Sequence, residues 1–127
     1  MVRKLFFLIS AVAWSAVILY LCLTKSSNIP TIDIPNLDKA VHVFFHFVFT
    51  SLWVLFFRTQ VRNKNIYKPL FFSFMLSVFF GVFIEIAQQL FTTTRSPDMF
   101  DILANITGAA FASFSILVFI KIRGTKP

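Results

Sequence analysis

The sequence predicts an all-α integral membrane protein with four transmembrane helices, and composition, hydropathy and charge distribution all support this class. Hydrophobic residues make up 57% of the 127 positions and charged residues 13%, against about 25% charged in a typical soluble domain. A chain of this length has too little interior to hide so much apolar surface from water. If the four apolar runs cross the membrane one after another, most basic residues also fall on one side of it.

Four apolar runs each approach the length of about 20 residues that a helix needs to cross a hydrocarbon core. Lipid offers no hydrogen-bond partner to the backbone, so helices are favoured over open strands despite the many Phe and Val residues. We therefore predict one four-helix domain over residues 1–127, with helices at residues 5–23, 41–57, 70–91 and 102–120.

The first run follows a basic start, "MVRK", which a secretory signal peptide would also have. Its apolar stretch exceeds the signal core of about 7 to 15 residues, and no small-x-small cleavage pattern follows it. We expect a retained anchor helix. Cys22 is the only cysteine in the chain, so an intrachain disulfide is excluded.

The three later runs carry start signals and polar residues. The second, "VHVFFHFVFTSLWVLFF", is the shortest and contains His42 and His46. Pro69 suits the first turn of the third helix, because backbone amides there have no partner within the helix and proline's missing amide hydrogen costs nothing. The fourth run follows the turn sequence "TTTRSPD", in which Ser96 is the expected N-cap.

The net charge of +7 reflects topology rather than nucleic acid binding. Nine basic residues fall on the side of the membrane that holds both termini: Arg3, Lys4, Arg58, Arg62, Lys64, Lys68, Lys121, Arg123 and Lys126. The positive-inside rule then places both termini in the cytoplasm. We expect a multi-pass protein of the cytoplasmic (inner) membrane with membrane lipids, and no nucleic acid, as partners.

All five acidic residues lie on the opposite, outer side or in the outer half of a helix: Asp33, Asp38, Glu85, Asp98 and Asp101. Residues three or four apart share a helix face, and each later helix has one polar or small-residue edge. These edges are Asp38, His42 and His46; Ser77, Gly81, Glu85 and Gln88; and Asp98, Asp101, Asn105, Gly108 and Ala112. The three edges predict a polar cluster at the outer face.

Glu85 and the two glycines make the packing of these edges specific. An ionised carboxylate that faces lipid costs about 2.5–3.5 kcal/mol, so Glu85 should face the bundle interior or be protonated. Arg95, Lys39 or a histidine is its expected neighbour. Gly81 and Gly108 are expected to let the third and fourth helices approach closely.

The ordered motifs "DKxxH", "ExxQ" and "RSxDxxDxxxN", followed by a glycine, resemble the VanZ-like family of small membrane proteins. The matching positions are Asp38, Lys39, His42, Glu85, Gln88, Arg95, Ser96, Asp98, Asp101, Asn105 and Gly108. The resemblance implies a four-helix membrane domain in which this polar set faces outward, and an association with resistance to the glycopeptide teicoplanin. His46 and Pro97 depart from the pattern, where aromatic residues are more usual.

The residues leave three chemistries open. In the first chemistry the cluster is a binding pocket for an envelope lipid, glycan or partner, such as a lipid-linked precursor or a glycopeptide. In the second chemistry Glu85, with His42, acts as general acid or base of a hydrolase or transferase. The third places zinc on His42, His46 and Glu85; we favour it least and expect neither a metal nor another cofactor. A purely structural, scaffolding role also stays open, whereas transport by a monomer is disfavoured because the inner halves of the helices hold few polar groups.

Overall fold

The computed structural model describes residues 2–23, 37–61, 65–91 and 99–123. They form four helices, α1 (Val2–Leu23), α2 (Leu37–Arg58), α3 (Tyr67–Phe91) and α4 (Met99–Ile122), with no strand among them. All four are long and apolar enough to cross a membrane. The predicted helical class is therefore confirmed, and so is the prediction of four helices long and apolar enough to cross a membrane.

All four helices begin before the apolar runs from which they were predicted, and α2 and α4 also end beyond them. α2 starts at Leu37 rather than residue 41, and α4 starts at Met99 rather than residue 102. Hydropathy detects the part of a helix that lies in hydrocarbon, about 30 Å thick, whereas headgroup regions add roughly 10–15 Å. Helical hydrogen bonding continues through that polar region, so the helices are longer than their apolar runs.

α2 is the central helix and packs against each of the other three. We call the end at which α2 and α4 start, and α1 and α3 finish, the polar end. The opposite end, where α1 starts and α4 finishes, is the basic end. α2 and α4 therefore run parallel, and α3 runs antiparallel to both.

Two apolar clusters hold the bundle together. Towards the polar end, Ile18, Cys22, Phe49 and Ile84 form one buried cluster, in which the rings of Phe49 and Phe80 stack with centroids 4.8 Å apart. At the basic end lies a second cluster, which we call the apolar plug: Val54, Ile66, Leu70 and Ile120.

The two glycines serve different interfaces. A Cβ atom on Gly81 would lie 2.7 Å from Asn105 Nδ2, so Gly81 does face α4 as predicted. A Cβ atom on Gly108 would lie 2.2 Å from the carbonyl oxygen of Val43 on α2. The prediction that Gly108 brings α4 close to α3 was therefore wrong, since the backbone that it lets approach belongs to α2.

The outer surface of the bundle is strongly apolar. Large side chains such as Phe71, Phe79 and Phe114 are more than half exposed. A shallow groove of about 360 Å³ on the outward side of α4 is lined mainly by apolar atoms of Ile106, Thr107, Ala110, Phe111 and Phe114. In water such a surface would be an extensive apolar patch, so these faces are suited to contact with lipid chains.

Candidate functional site

An ion pair joins the starts of the two parallel helices. Lys39 is the third residue of α2 and Asp101 the third residue of α4. Lys39 Nζ donates to Asp101 Oδ1 at 2.7 Å, and the two side chains are 26% and 12% exposed. Asp101 also lies in the first turn of α4, where the helix dipole favours a carboxylate. The pair is thus partly accessible from the polar end.

His42 lies one turn below Lys39 and links the same two helices. Its Nδ1 lies 3.1 Å from Asn105 Oδ1, and an amide oxygen can only accept, so the imidazole donates this bond. The other ring nitrogen, Nε2, lies 3.7 Å from Asp101 Oδ2. The bond to Asn105 orients the imidazole, and its other ring nitrogen faces the Asp101 carboxylate beyond hydrogen-bonding distance.

Glu85 approaches this set from α3. It is 5% exposed, which confirms that it faces the bundle interior rather than lipid. Gly81, one turn away on the same face of α3, abuts Asn105. Because α3 and α4 are antiparallel, one turn from Gly81 towards the polar end brings Glu85 level with Asp101. Three helices thus contribute to one layer.

We call Lys39, His42, Glu85, Asp101 and Asn105 the polar cluster. Its members present one ammonium group, two carboxyl groups, an imidazole and a carboxamide. Carboxylate and amide oxygens accept hydrogen bonds from hydroxyl and amine groups, and an ammonium group binds phosphate or carboxylate. The cluster can therefore bind a polar ligand that carries both kinds of group, or move a proton through the imidazole or a carboxyl group.

His46 belongs to a different interface. Its Nδ1 lies 2.7 Å from Ser77 Oγ on α3, whereas His42 contacts α4. The two histidines, one turn apart on α2, therefore bond across the bundle in different directions. Among the residues with described positions, no group of three or more His, Cys, Asp or Glu side chains could hold a metal ion. This geometry gives no support to zinc on His42, His46 and Glu85.

Gln88 contacts α1. Its Nε2 donates to the backbone carbonyl of Cys22 at 2.7 Å. That carbonyl is one of the last four in α1, and these carbonyls have no amide donor within their own helix. Gln88 was predicted to bind ligand, and this bond gives it a structural contact at the polar end of α1.

The remaining predicted site residues lie outside the described part of the chain. The expected N-cap Ser96 also lies there. The site residues concerned are Asp38, whose side chain is not described, Arg95 and Asp98. Their assignment to the site stays a prediction.

Two buried hydroxyl groups were missed by the sequence interpretation. Thr50 and Ser73 are both 0% exposed. Thr50 lies one turn beyond His46 on α2, and Ser73 lies one turn from Ser77 on α3. Both could have been found from the helical period, because each lies four residues from a polar residue, His46 or Ser77, that was already assigned to a helix edge. They were instead counted as part of the apolar runs.

Comparison with known proteins adds no family to this geometry: no protein-family model, curated protein or solved structure matches the chain.

Proposed function

We propose that this chain is a VanZ-like membrane protein whose polar cluster recognises the polar part of an envelope lipid at the outer face of the cytoplasmic membrane. The observation that supports this proposal is the ion pair of Lys39 and Asp101, joined to His42 and Asn105 at the polar end of a bundle whose surface is otherwise apolar. Headgroups of surrounding lipids would lie at the same level.

The orientation of the bundle follows from the distribution of basic residues. Arg3, Lys4, Arg58, Lys121 and Arg123 all lie at the basic end, and the positive-inside rule assigns that end to the cytoplasm. The polar cluster then faces the cell exterior or periplasm. Green fluorescent protein and alkaline phosphatase fused to the C-terminus test this orientation, because the first folds in the cytoplasm and the second only outside it.

A contribution to stability alone explains the charged residues of the polar cluster poorly. A partly exposed ion pair contributes only about 0.2–1 kcal/mol, and an interhelical hydrogen bond in a membrane contributes about 0.6 kcal/mol on average. Ionisable residues within membrane spans are instead candidates for a functional site by default. The cluster concentrates such residues on three helices.

The mixed chemistry of the cluster fits a lipid-linked envelope precursor, which carries phosphate groups and sugar hydroxyl groups. Lys39 would bind a phosphate oxygen, and Asp101 and Asn105 would accept hydrogen bonds from the sugar. A precursor held in this way would be less accessible to a lipoglycopeptide. That consequence connects the site with the teicoplanin association that the family resemblance implies.

Antibiotic susceptibility tests the proposal. A teicoplanin-sensitive Gram-positive host would express the parent chain, Asp101→Asn, Glu85→Gln or Arg95→Ala, with membrane levels measured for each. Thr107→Ala is the matched control, because Thr107 lies on α4 but is exposed away from the cluster. We expect protection by the parent chain and by the control, and reduced protection by the cluster variants. Full protection by well-expressed Asp101→Asn and Glu85→Gln would contradict the proposal.

Direct binding separates the site from the resistance phenotype. The purified protein in nanodiscs would be mixed with a polyprenyl-pyrophosphate glycan, and retention of the lipid would be measured by native mass spectrometry. Lys39→Met and Asp101→Asn should each weaken retention, and Thr107→Ala should leave it unchanged. Equal retention by all four proteins would show that the lipid binds elsewhere.

The orientation of His42 favours one alternative, a hydrolase or transferase that acts on a lipid-linked envelope substrate. An imidazole hydrogen-bonded to Asn105 and facing Asp101, level with the buried carboxyl group of Glu85, has the components of general acid–base catalysis. Glu85→Gln would then abolish turnover of the glycan lipid while leaving its binding intact. Under the binding proposal the lipid is recovered unchanged, so the same mass spectra distinguish the two functions.

A further inference from the structure

Beyond the polar cluster, the interface of α2 and α3 contains buried polar atoms that no described residue satisfies. His46 Nε2, Thr50 Oγ1 and Ser73 Oγ have no hydrogen-bond partner among the residues whose positions are described. Their residues are 1%, 0% and 0% exposed. Buried polar groups in proteins are normally hydrogen-bonded to protein or to ordered water.

Helical spacing places these atoms along one line. The 2.7 Å contact of His46 with Ser77 fixes the register of α2 against α3. One turn farther towards the basic end, α2 presents Thr50 and the antiparallel α3 presents Ser73. With a rise of about 1.5 Å per residue, Thr50 lies about 12 Å from the basic end of α2. The polar line thus continues past the middle of the bundle.

Most hydroxyl groups elsewhere in these helices are satisfied locally. Ser15, Ser51, Thr107 and Ser113 each donate to the carbonyl oxygen four residues earlier, at 2.8 to 3.0 Å. That bond is the usual solution for a hydroxyl group within a helix. Thr50 and Ser73 do not form it, so their hydroxyl groups remain available to a ligand between the helices.

The line ends at the apolar plug. Val54 is one turn beyond Thr50 on α2 and is 1% exposed, and Ile66, Leu70 and Ile120 pack around it. Towards the polar end, His46 is followed one turn away by His42 and then by the partly exposed pair of Lys39 and Asp101. His46 contacts α3 and His42 contacts α4, so the polar groups of α2 reach the polar end along two adjoining interfaces. Apolar side chains close the line at the basic end.

We propose that His46, Thr50, Ser73 and Ser77 line an internal water site, a half-channel that is hydrated from the polar end and closed by the apolar plug. Water suits this site because each molecule both donates and accepts, and a polar cavity holds ordered water where an apolar one stays dry. The half-channel brings solvent to the middle of the membrane without crossing it. This inference does not depend on the ligand of the polar cluster.

Cysteine accessibility tests the half-channel. Cys22 is first replaced by Ala, and single cysteines are then introduced as Thr50→Cys, Ser73→Cys or Val54→Cys. The purified proteins in nanodiscs are exposed to Ag⁺, a water-borne probe smaller than organic thiol reagents. The remaining thiol is then quantified with a maleimide after denaturation. Val54→Cys is the matched control, since it lies on the same face of α2, is equally buried and lies nearer the aqueous phase at the basic end.

We expect Thr50→Cys and Ser73→Cys to react at least about tenfold faster than Val54→Cys, because a thiol ionises and reacts only where water can solvate the thiolate. Far-UV circular dichroism and a monodisperse elution profile identify the folded variants. The two test positions lie on different helices, so either one suffices if the other fails to fold. Reaction of a folded Thr50→Cys or Ser73→Cys as slowly as Val54→Cys would show a dry interface and overturn the proposal, while leaving lipid binding by the polar cluster unaffected.

Discussion

Substituting alanine for Gly108 is the most direct test of the α2–α4 interface. The added Cβ atom would lie 2.2 Å from the carbonyl oxygen of Val43, 3.0 Å from its carbonyl carbon and 3.1 Å from the backbone nitrogen of Phe47. All three are backbone atoms of α2, so no side-chain rotation can relieve the contact. The two helices must move apart.

The required movement is large enough to break the neighbouring hydrogen bond. Restoring ordinary van der Waals contact needs a separation of about 1 Å at Gly108. The His42–Asn105 contact, already 3.1 Å, would then exceed hydrogen-bonding distance. Overpacking costs typically about 1–3 kcal/mol, and one lost interhelical bond adds about 0.6 kcal/mol. The higher helix propensity of alanine offsets about 1 kcal/mol of this cost. We therefore expect Gly108→Ala to lower the free energy of unfolding by about 1–3 kcal/mol.

Reversible unfolding in mixed detergent and sodium dodecyl sulfate micelles, followed by tryptophan fluorescence, measures this change. Gly81→Ala serves as the comparison, because its new Cβ atom meets the end of the Asn105 side chain, which can rotate. It should lower the free energy of unfolding by less than Gly108→Ala does. In an unconstrained helix, alanine is about 1 kcal/mol more favourable than glycine. Unchanged or increased stability of Gly108→Ala would therefore refute the close approach of α4 to Val43.

Three further predictions concern one hydrogen bond, one core side chain and one ion pair, and all use the same unfolding measurement. Gln88→Leu should lower the free energy of unfolding by about 1–2 kcal/mol, because the Cys22 carbonyl loses the Gln88 hydrogen bond. The control Gln89→Leu, at an exposed position, should leave it unchanged, and equal decreases in the two variants would contradict this prediction. Phe49→Ala should cost about 3–5 kcal/mol by opening a cavity beneath the stacked ring of Phe80, and a loss below that range would show that the site collapses. A double-mutant cycle of Lys39→Met and Asp101→Asn should give a coupling energy of about 0.5–1 kcal/mol, since the pair is partly solvated; additive effects would show that the ion pair contributes nothing.

The sequence by itself determined the class of the protein and the number of its helices. In a chain that is 57% hydrophobic, each of the four apolar runs is long enough to satisfy its own backbone hydrogen bonds as a helix in lipid. Polar spacing also placed His42, Glu85 and Asp101 on helix edges, and the structure buries all three. These features depend on local composition and on the helical period, which a linear sequence contains.

Only the tertiary structure decided which edges meet. Spacing showed that His42 and His46 share a face of α2, yet one contacts Asn105 on α4 and the other Ser77 on α3. Gly108 was assigned to the wrong neighbour for the same reason. The rotation and depth of a helix are set by packing against several neighbours at once, and small residues let any adjacent backbone approach. The pairings that build the polar cluster and the proposed water site therefore follow from the assembled bundle.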